Sequence, residues 1–358
     1  MHPEPKRALF LGLGTAITFA AAGAHPDLNA DGVELVPEIL RALHHFEPYN
    51  KLRPGLQLRL ADARRFVRMS REPYDVIVAD LFHPARDGAG ALYTLDHFQA
   101  IRERLAPGGI FCQWLPLYQL DEETLRVIIR TCLEVFPNLN AFLLRFNVDT
   151  PVLGLIASLS PARYSADWFE KRVRSEGLKK DLRSLTLVDG LHLFGCYVAS
   201  PQALREFCRG ADLNTDDRPV VIFRAPRFTY RRNATPYGRL FSLLDRTASD
   251  PAHLIDGSGT KAALTLGEQL RQFIRARDLY LRGLREEDEG QMARALDSYV
   301  ESARMSPHFS SSYARCLTIA VRQAKTKPDE ARKLLERLAE ARPERPVARE
   351  LLKRLFGL

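Results

Sequence analysis

An α/β fold on a mostly parallel sheet is what this sequence predicts, and two observations within residues 7–158 predict it. Short apolar runs rich in β-branched residues alternate with helix-period stretches over short connections, the pattern of strand-helix-strand units with helices on both faces. The last two runs, 139–145 and 152–158, are separated only by FNVDTP. That is too short for a crossover helix, so they pair as an antiparallel hairpin. A third observation concerns residues 266–358, which are helical in period and partly self-similar.

The strands are expected at 7–12, 29–35, 56–61, 74–80, 109–115, 139–145 and 152–158, and helices near 15–23, 37–46, 62–70, 94–106 and 121–136. Leu9 to Ala24 carries no charge, follows Lys6 and Arg7 and ends in small residues, the outline of a signal peptide. However, it contains G-x-G-T where a strand would turn into a helix, with an acidic residue about twenty positions later. It therefore reads as the first strand and its turn, and it is short of the ~20 residues of a membrane span. Val76 to Ala79 is the apolar run of a central strand covered on both faces. Five parallel strands ending in a hairpin is the plan of a class I S-adenosylmethionine-dependent methyltransferase-like (Rossmann-like) sheet. A dinucleotide dehydrogenase would continue with a sixth parallel strand.

Residues 1–160 are thus expected to form a nucleoside-binding, methyltransferase-like domain, and 161–227 an α+β extension of it with helices at 165–179 and near 201–209. Residues 228–265, polar with Pro and Gly, read as a linker. In the all-α tail, 266–358, Ala295, Tyr299, Ala303 and Pro307 recur as Ala331, Leu335, Ala339 and Pro343. Small-large-small spacing lets a second helix pack closely and the proline stops it. This resembles tetratricopeptide (TPR) repeats, of period about 34, and implies a surface for a protein partner; an ordinary pair of helical hairpins is the alternative.

The bulk numbers narrow the classes. The chain of 358 residues is 46% hydrophobic, enough for at least one sizeable core. Its net charge of +8 comes from 52 basic residues interleaved with 44 acidic ones, without a basic stripe carrying aromatics, so no nucleic-acid role is expected. The five cysteines form no C-x-x-C pair, which points to free thiols in the cytoplasm and to no metal site.

Chemistry gathers where strands end, the place at which open α/β sheets bind ligands. Gly12 and Gly14 follow the first strand and let the backbone approach a ligand without a Cβ in the way. Glu34 ends the second, placed to accept from both hydroxyls of a ribose. Asp62, followed by Ala63, ends the third and could accept from an adenine amine, cap the next helix, or do both. Asp80 ends the fourth, where an unpaired carboxylate is costly and a functional one is the better account. Together these say adenosine without saying which group is transferred.

The stretches RALFLGLGTAIT, GVELVPEIL, LADARRFV, YDVIVADLFHP, LYTLDHFQAIRERLAPGGIFCQWLPLY and LNTDDRPV resemble the catalytic domain of spermidine/spermine synthases over roughly residues 6–226. The resemblance implies a polyamine aminopropyltransferase that moves an aminopropyl group from decarboxylated S-adenosylmethionine to a small-molecule amine. It makes Asp80 the acid/base carboxylate and places Gly12, Gly14, Thr15, Glu34, Asp62, Ala63 and Asp80 around the cofactor. His83, Tyr93, Gln113, Trp114 and Tyr118 fall around the acceptor, under a cover formed by the 81–94 loop. Homodimers, and membrane helices preceding such a domain, occur among these proteins, so the chain could be the cytosolic part of a membrane-anchored protein. Four positions depart from the family: Thr15 and His83 stand where it carries aspartates, Ala16 where it carries a glycine, and Val36 where it is usually acidic. These departures keep two other readings open: methyl transfer from S-adenosylmethionine itself, and a catalytically degraded scaffold.

Overall fold

The structure, a computed structural model, describes residues 1–80, 82–86, 88–174, 176–229, 235–247, 250–257 and 259–357. One compact unit comprises 1–145, 149–188 and 197–250, and a second comprises 146–148, 189–196 and 251–358.

In the first unit, β1 (Arg7–Leu11), β2 (Asn29–Glu34), β3 (Leu56–Leu60), β4 (Tyr74–Ala79), β5 (Leu105–Pro116), β6 (Asn138–Leu143), β7 (Val152–Ser158) and β8 (Tyr197–Ala199) form one sheet in the order β3-β2-β1-β4-β5-β7-β6-β8. The first five are parallel; β7 runs antiparallel to both β5 and β6, and β8 runs antiparallel to β6. The methyltransferase-type plan with its terminal hairpin is therefore present, extended by β8, whose three residues carry no period to read. Strand order reverses at β1, flanked by β2 and β4, which creates the crevice at the carboxyl ends where such sheets bind ligands.

Sixteen α-helices fall among the described residues: α1 (Ile17–Ala21), α2 (Pro37–Ala42), α3 (Ala63–Met69), α4 (Leu95–Glu103), α5 (Glu122–Val135), α6 (Trp168–Arg172), α7 (Glu176–Ser184), α8 (Gly190–Phe194), α9 (Pro201–Phe207), α10 (Val220–Thr229), α11 (Gly238–Arg246), α12 (Lys261–Asp288), α13 (Met292–Met305), α14 (Ser311–Gln323), α15 (Pro328–Ala341) and α16 (Val347–Phe356). Local chemistry starts several of them. Asp62, Thr94 and Asp121 cap α3, α4 and α5 by accepting from the backbone N–H of Arg65, His97 and Thr124. Alternate residues of β1 go to opposite faces; Ala8 and Phe10 join Phe19, Ala22 and Leu28 in one cluster, with Val76 and Val78 of β4 against it.

Two expectations need correction. The helix expected over 165–179 is broken into α6 and α7. The stretch 228–265 is not a plain linker: α11 lies within it and buries Leu240, Phe241 and Leu243, while 230–234, 248–249 and 258 lie outside the described residues. Arg239 made α11 look polar, but its guanidinium is buried and donates to the carbonyls of Leu117, Thr235 and Pro236.

The second unit is built on α8 and α12 to α16. Ala295, Tyr299 and Ala303 of α13 are buried in one cluster with Leu335 and Ala339 of α15. Gly283 of α12 is what lets α13 come close: a Cβ there would stand 2.5 Å from Cε1 of Tyr299 and 3.2 Å from the carbonyl of Ala295. The Tyr299 ring is fully buried and its hydroxyl donates to Glu287, so it has little room to give. We expect Gly283→Ala to destabilise this unit by about 1–3 kcal/mol despite the better helix propensity of alanine. Urea unfolding followed by helix signal measures it; unchanged stability would mean that the helices separate freely.

Candidate functional site

The carboxyl ends of β1, β2, β3 and β4 are level with one another. Leu11 pairs with Val33 and Ala79, and Glu34 pairs with Leu60. The turn after β1 is bound to both neighbours, since Gly12 N–H donates to Val33 and Asp80 N–H donates to Leu11. Gly12 and Gly14 have φ of +78° and +50°, which favour glycine, and Ala16 follows at +58°. A Cβ on Gly14 would meet nothing within 4 Å, so the loop presents bare backbone to open space. A Cβ on Gly12 would stand 2.8 Å from the Phe82 ring, so that ring rests on the loop.

Glu34 is buried to 8% exposure and its carboxylate is turned toward this loop. Oε2 accepts from Leu13 N–H at 3.1 Å and Gly14 N–H at 3.4 Å, and Oε1 accepts from Val36 N–H at 3.0 Å. Thr15, half-buried, gives its carbonyl to the Asn50 amide at 3.0 Å. Asn50 is buried and its Oδ1 has no partner among the described residues. Asp62 is exposed; Oδ1 accepts from Arg65 N–H, which leaves Oδ2 toward solvent, and Ala63 sits half-buried behind it. The cap and the ligand reading of Asp62 are thus compatible. Asp80 is half-buried at the end of β4, and its charge adds to the burial that pushes the Cys112 thiol up to about 12.

The residues expected around an acceptor are less convergent. His83 is half-buried; burial, then the charge of Arg86, holds its imidazole below the usual value, so it is neutral near pH 7. Tyr93 is fully buried rather than facing outward, its hydroxyl donating to the Phe82 carbonyl at 2.9 Å, and burial raises its pKa. Leu81 and Asp87 of this loop lie outside the described residues. Gln113, fully buried, pairs in register with Ala79, one residue before Asp80; its Nε2 donates to the Trp114 carbonyl and its Oε1 has no partner among the described residues. Trp114, adjacent on β5, projects to the other face, so the two side chains do not meet there. Tyr118 is half-buried in the turn beyond.

The residues fit a bound adenosyl group. The bare Gly14 backbone could give it a floor and the outer oxygen of Asp62 an acceptor, while the orphaned Gln113 oxygen could take a polar hydrogen of the acceptor. Sequence reading missed Asn50, whose amide donates to the Thr15 carbonyl, Phe82, whose ring rests on Gly12, and Asn214, whose amide donates to the Gly90 carbonyl; none carries a charge to announce it. Among the described residues, no group of three or more His, Cys, Asp or Glu could hold a metal, and no helix is long and apolar enough to cross a membrane.

Known proteins match this site region. Residues 26–152 match the family described as spermine/spermidine synthase domain. A spermidine synthase of Dictyostelium discoideum is 28% identical over 141 residues, covering 38% of this chain and 49% of that protein. Polyamine aminopropyltransferase 2 of Hyperthermus butylicus is 25% identical over 233 residues, covering 62% of this chain and 74% of that protein. Putrescine N-methyltransferase 2 of Nicotiana attenuata is 30% identical over 142 residues, covering 37% of each chain. The match thus spans about half the length of the first relative and less of the third.

One buried group beside the site titrates far from its usual range. His97, in the first turn of α4, is fully buried with neither ring nitrogen partnered among the described residues. Burial, then the charges of Arg64 and Arg68, push its pKa down to about 3. The unfolded chain binds this proton near pH 6.5 and the fold does not. Stability is therefore unaffected by His97 above that pH and falls as the pH drops from 6.5 toward 3, by about 1.4 kcal/mol per unit. Urea unfolding of wild type and His97→Leu between pH 8 and 4 should show a gap that is flat above pH 7 and shifts against the wild type below 6. A constant gap would mean that His97 is not held neutral.

Proposed function

We propose that this chain, whose residues 26–152 match the family described as spermine/spermidine synthase domain, transfers an aminopropyl group from decarboxylated S-adenosylmethionine to a polyamine-type amine. The reading rests on one observation above all: the Gly12–Thr15 loop, Glu34, Asp62 and Asp80 stand at the level carboxyl ends of four neighbouring strands within that fold. When bound, the adenosyl donor supplies a carbon made electrophilic by the adjacent sulfonium. The protein's part is to hold and orient. Glu34 takes the ribose hydroxyls, Asp62 the adenine amine through its outer oxygen, and the bare backbone at Gly14 lets the donor lie close.

Asp80 acts on the acceptor. An amine must be neutral to attack, yet it arrives protonated, so a carboxylate has to attract the cation and take a proton as the carbon–nitrogen bond forms. His83, neutral near pH 7, adds no second negative charge. The pocket therefore attracts a dication less than one lined by two carboxylates would. The 82–93 loop, sealed by Tyr93, keeps water from the reacting atoms.

Methyl transfer is the second reading, favoured by the likeness to a putrescine N-methyltransferase over a stretch as long as that shared with the spermidine synthase. Beyond the site, the helical unit would offer a surface to a protein partner, and the free cysteines suit a reducing compartment.

Asp80→Asn should lower transfer to putrescine by at least about a hundredfold while leaving adenosyl binding within about twofold by isothermal titration. Retained activity would remove Asp80 from the chemistry. Titration of the wild type with decarboxylated and ordinary S-adenosylmethionine separates the readings; tighter binding of the carboxylated form would favour methyl transfer.

A further inference from the structure

The segment 213–222 belongs to none of the strands, yet its hydrogen bonds run to the elements that shape the site. Asn214 is fully buried and uses every polar group it has. Its N–H donates to Thr131 Oγ1 of α5 at 3.0 Å, and its carbonyl accepts from Leu95 N–H at the start of α4 at 2.8 Å. Its Oδ1 accepts from Val221 N–H at 3.1 Å, and its Nδ2 donates to the Gly90 carbonyl in the 82–93 loop at 3.2 Å. The first turn of α10 lies directly on that loop: a Cβ on Gly90 would stand 2.9 Å from the backbone nitrogen of Ile222. From Gly90 the contacts continue through the Tyr93 hydroxyl to the Phe82 carbonyl, and from the Phe82 ring to Gly12.

Asp216 ties the same segment to the adenosyl side. Its N–H donates to Asp96 at 2.8 Å, and its carboxylate accepts from Arg64 at 2.6 and 2.7 Å and from Arg68 at 3.2 Å, both on α3, the helix that Asp62 caps. Desolvation opposes the charge of Asp216, but the hydrogen bonds from Arg64 and Thr94 outweigh it and hold its pKa low.

We propose that residues 213–222 form a strap that holds the described parts of the 82–93 loop, 82–86 and 88–93, in place beside the acceptor, with Asn214 as the positioning residue and Gly90 as its point of grip. A buried amide is suited to this. It offers a donor and an acceptor at once, so it joins the loop carbonyl to the helix N–H, which an apolar side chain cannot do. Without it the loop loses its inner anchor while the sheet beneath keeps its own bonds. The kinetic part of this proposal rests on the transfer reaction proposed above; the mechanical part does not.

The test uses the full chain with Asn214→Ala, Gly90→Ala and the double variant, and has two arms. In hydrogen exchange, amides of 82–93 should exchange at least about tenfold faster in each variant while those of β5 stay as in the wild type. In kinetics, the KM for putrescine should rise about ten- to hundredfold, with the Kd for decarboxylated S-adenosylmethionine within twofold. The double variant should be no worse than the worse single one, because Asn214→Ala deletes and Gly90→Ala displaces the same contact between strap and loop. Should Asn214→Ala not fold, Gly90→Ala decides alone. Unchanged exchange over 82–93, or a fall in kcat at unchanged KM, overturns the strap. A wild type that binds no adenosyl compound and transfers nothing overturns the functional reading instead, and exchange then decides the strap by itself.

Discussion

The shape of the site depends on one buried carboxylate meeting backbone. Glu34 accepts from the N–H groups of Leu13, Gly14 and Val36, and so fixes the turn after β1 against the end of β2. Left unpaired, those N–H groups would cost free energy at a partly buried turn. Bonded to a carboxylate, they hold a loop whose φ values favour glycine at two positions. Phe82 rests on that loop, so the start of the loop after β4 takes its position from the turn after β1. A carboxylate has roughly four acceptor sites. With three in use, a ribose offering two hydroxyls would, on the proposed reading, have to displace one backbone donor, and the Gly14 contact, at 3.4 Å, is the weakest. Binding the sugar and adjusting the glycine loop are on this view one event.

The fold was legible where side-chain pattern and backbone need coincide. Five parallel strands and the hairpin could be read because buried strands are apolar runs and FNVDTP admits no helix. Helix starts at Asp62, Thr94 and Asp121 could be read because a capping side chain answers a local need. The helices α10 and α11 could not, because Pro226 and Arg239 speak against a buried helix by composition, yet α10 carries Pro226 within it and the Arg239 guanidinium finds the Leu117 carbonyl. The three residues of β8 exist as a strand only because β6 offers them an edge.

The site divides in the same way. Carboxylates at strand ends stood out because a charge after an apolar run needs an explanation. Asn50 and Asn214 did not, because each acts on backbone carbonyls, and at 35 and 124 residues' distance along the chain. A one-dimensional pattern has no means of marking such a partner. Tyr93 was legible as part of the loop but not in its orientation; only packing shows that its hydroxyl is turned inward to Phe82.

What then recognises the acceptor follows from charge and from one orphaned atom. On the proposed reading, Asp80 attracts the ammonium that is to react. The second ammonium of a diamine meets no further carboxylate at position 83, where a neutral imidazole stands. It still has to exchange its water for something, since an ammonium left without acceptors in a closed pocket is costly. Gln113 Oε1 lies in register beside the strand that ends in Asp80, buried and without a partner among the described residues. An amide oxygen accepts a hydrogen bond without adding charge, so on that reading Asp80, His83 and Gln113 would match an acceptor with one cationic end and a second donor of weaker charge better than a dication. Selection would then act through hydrogen-bond geometry near Gln113 more than through long-range attraction, and would be less sensitive to salt than in a site lined by several carboxylates.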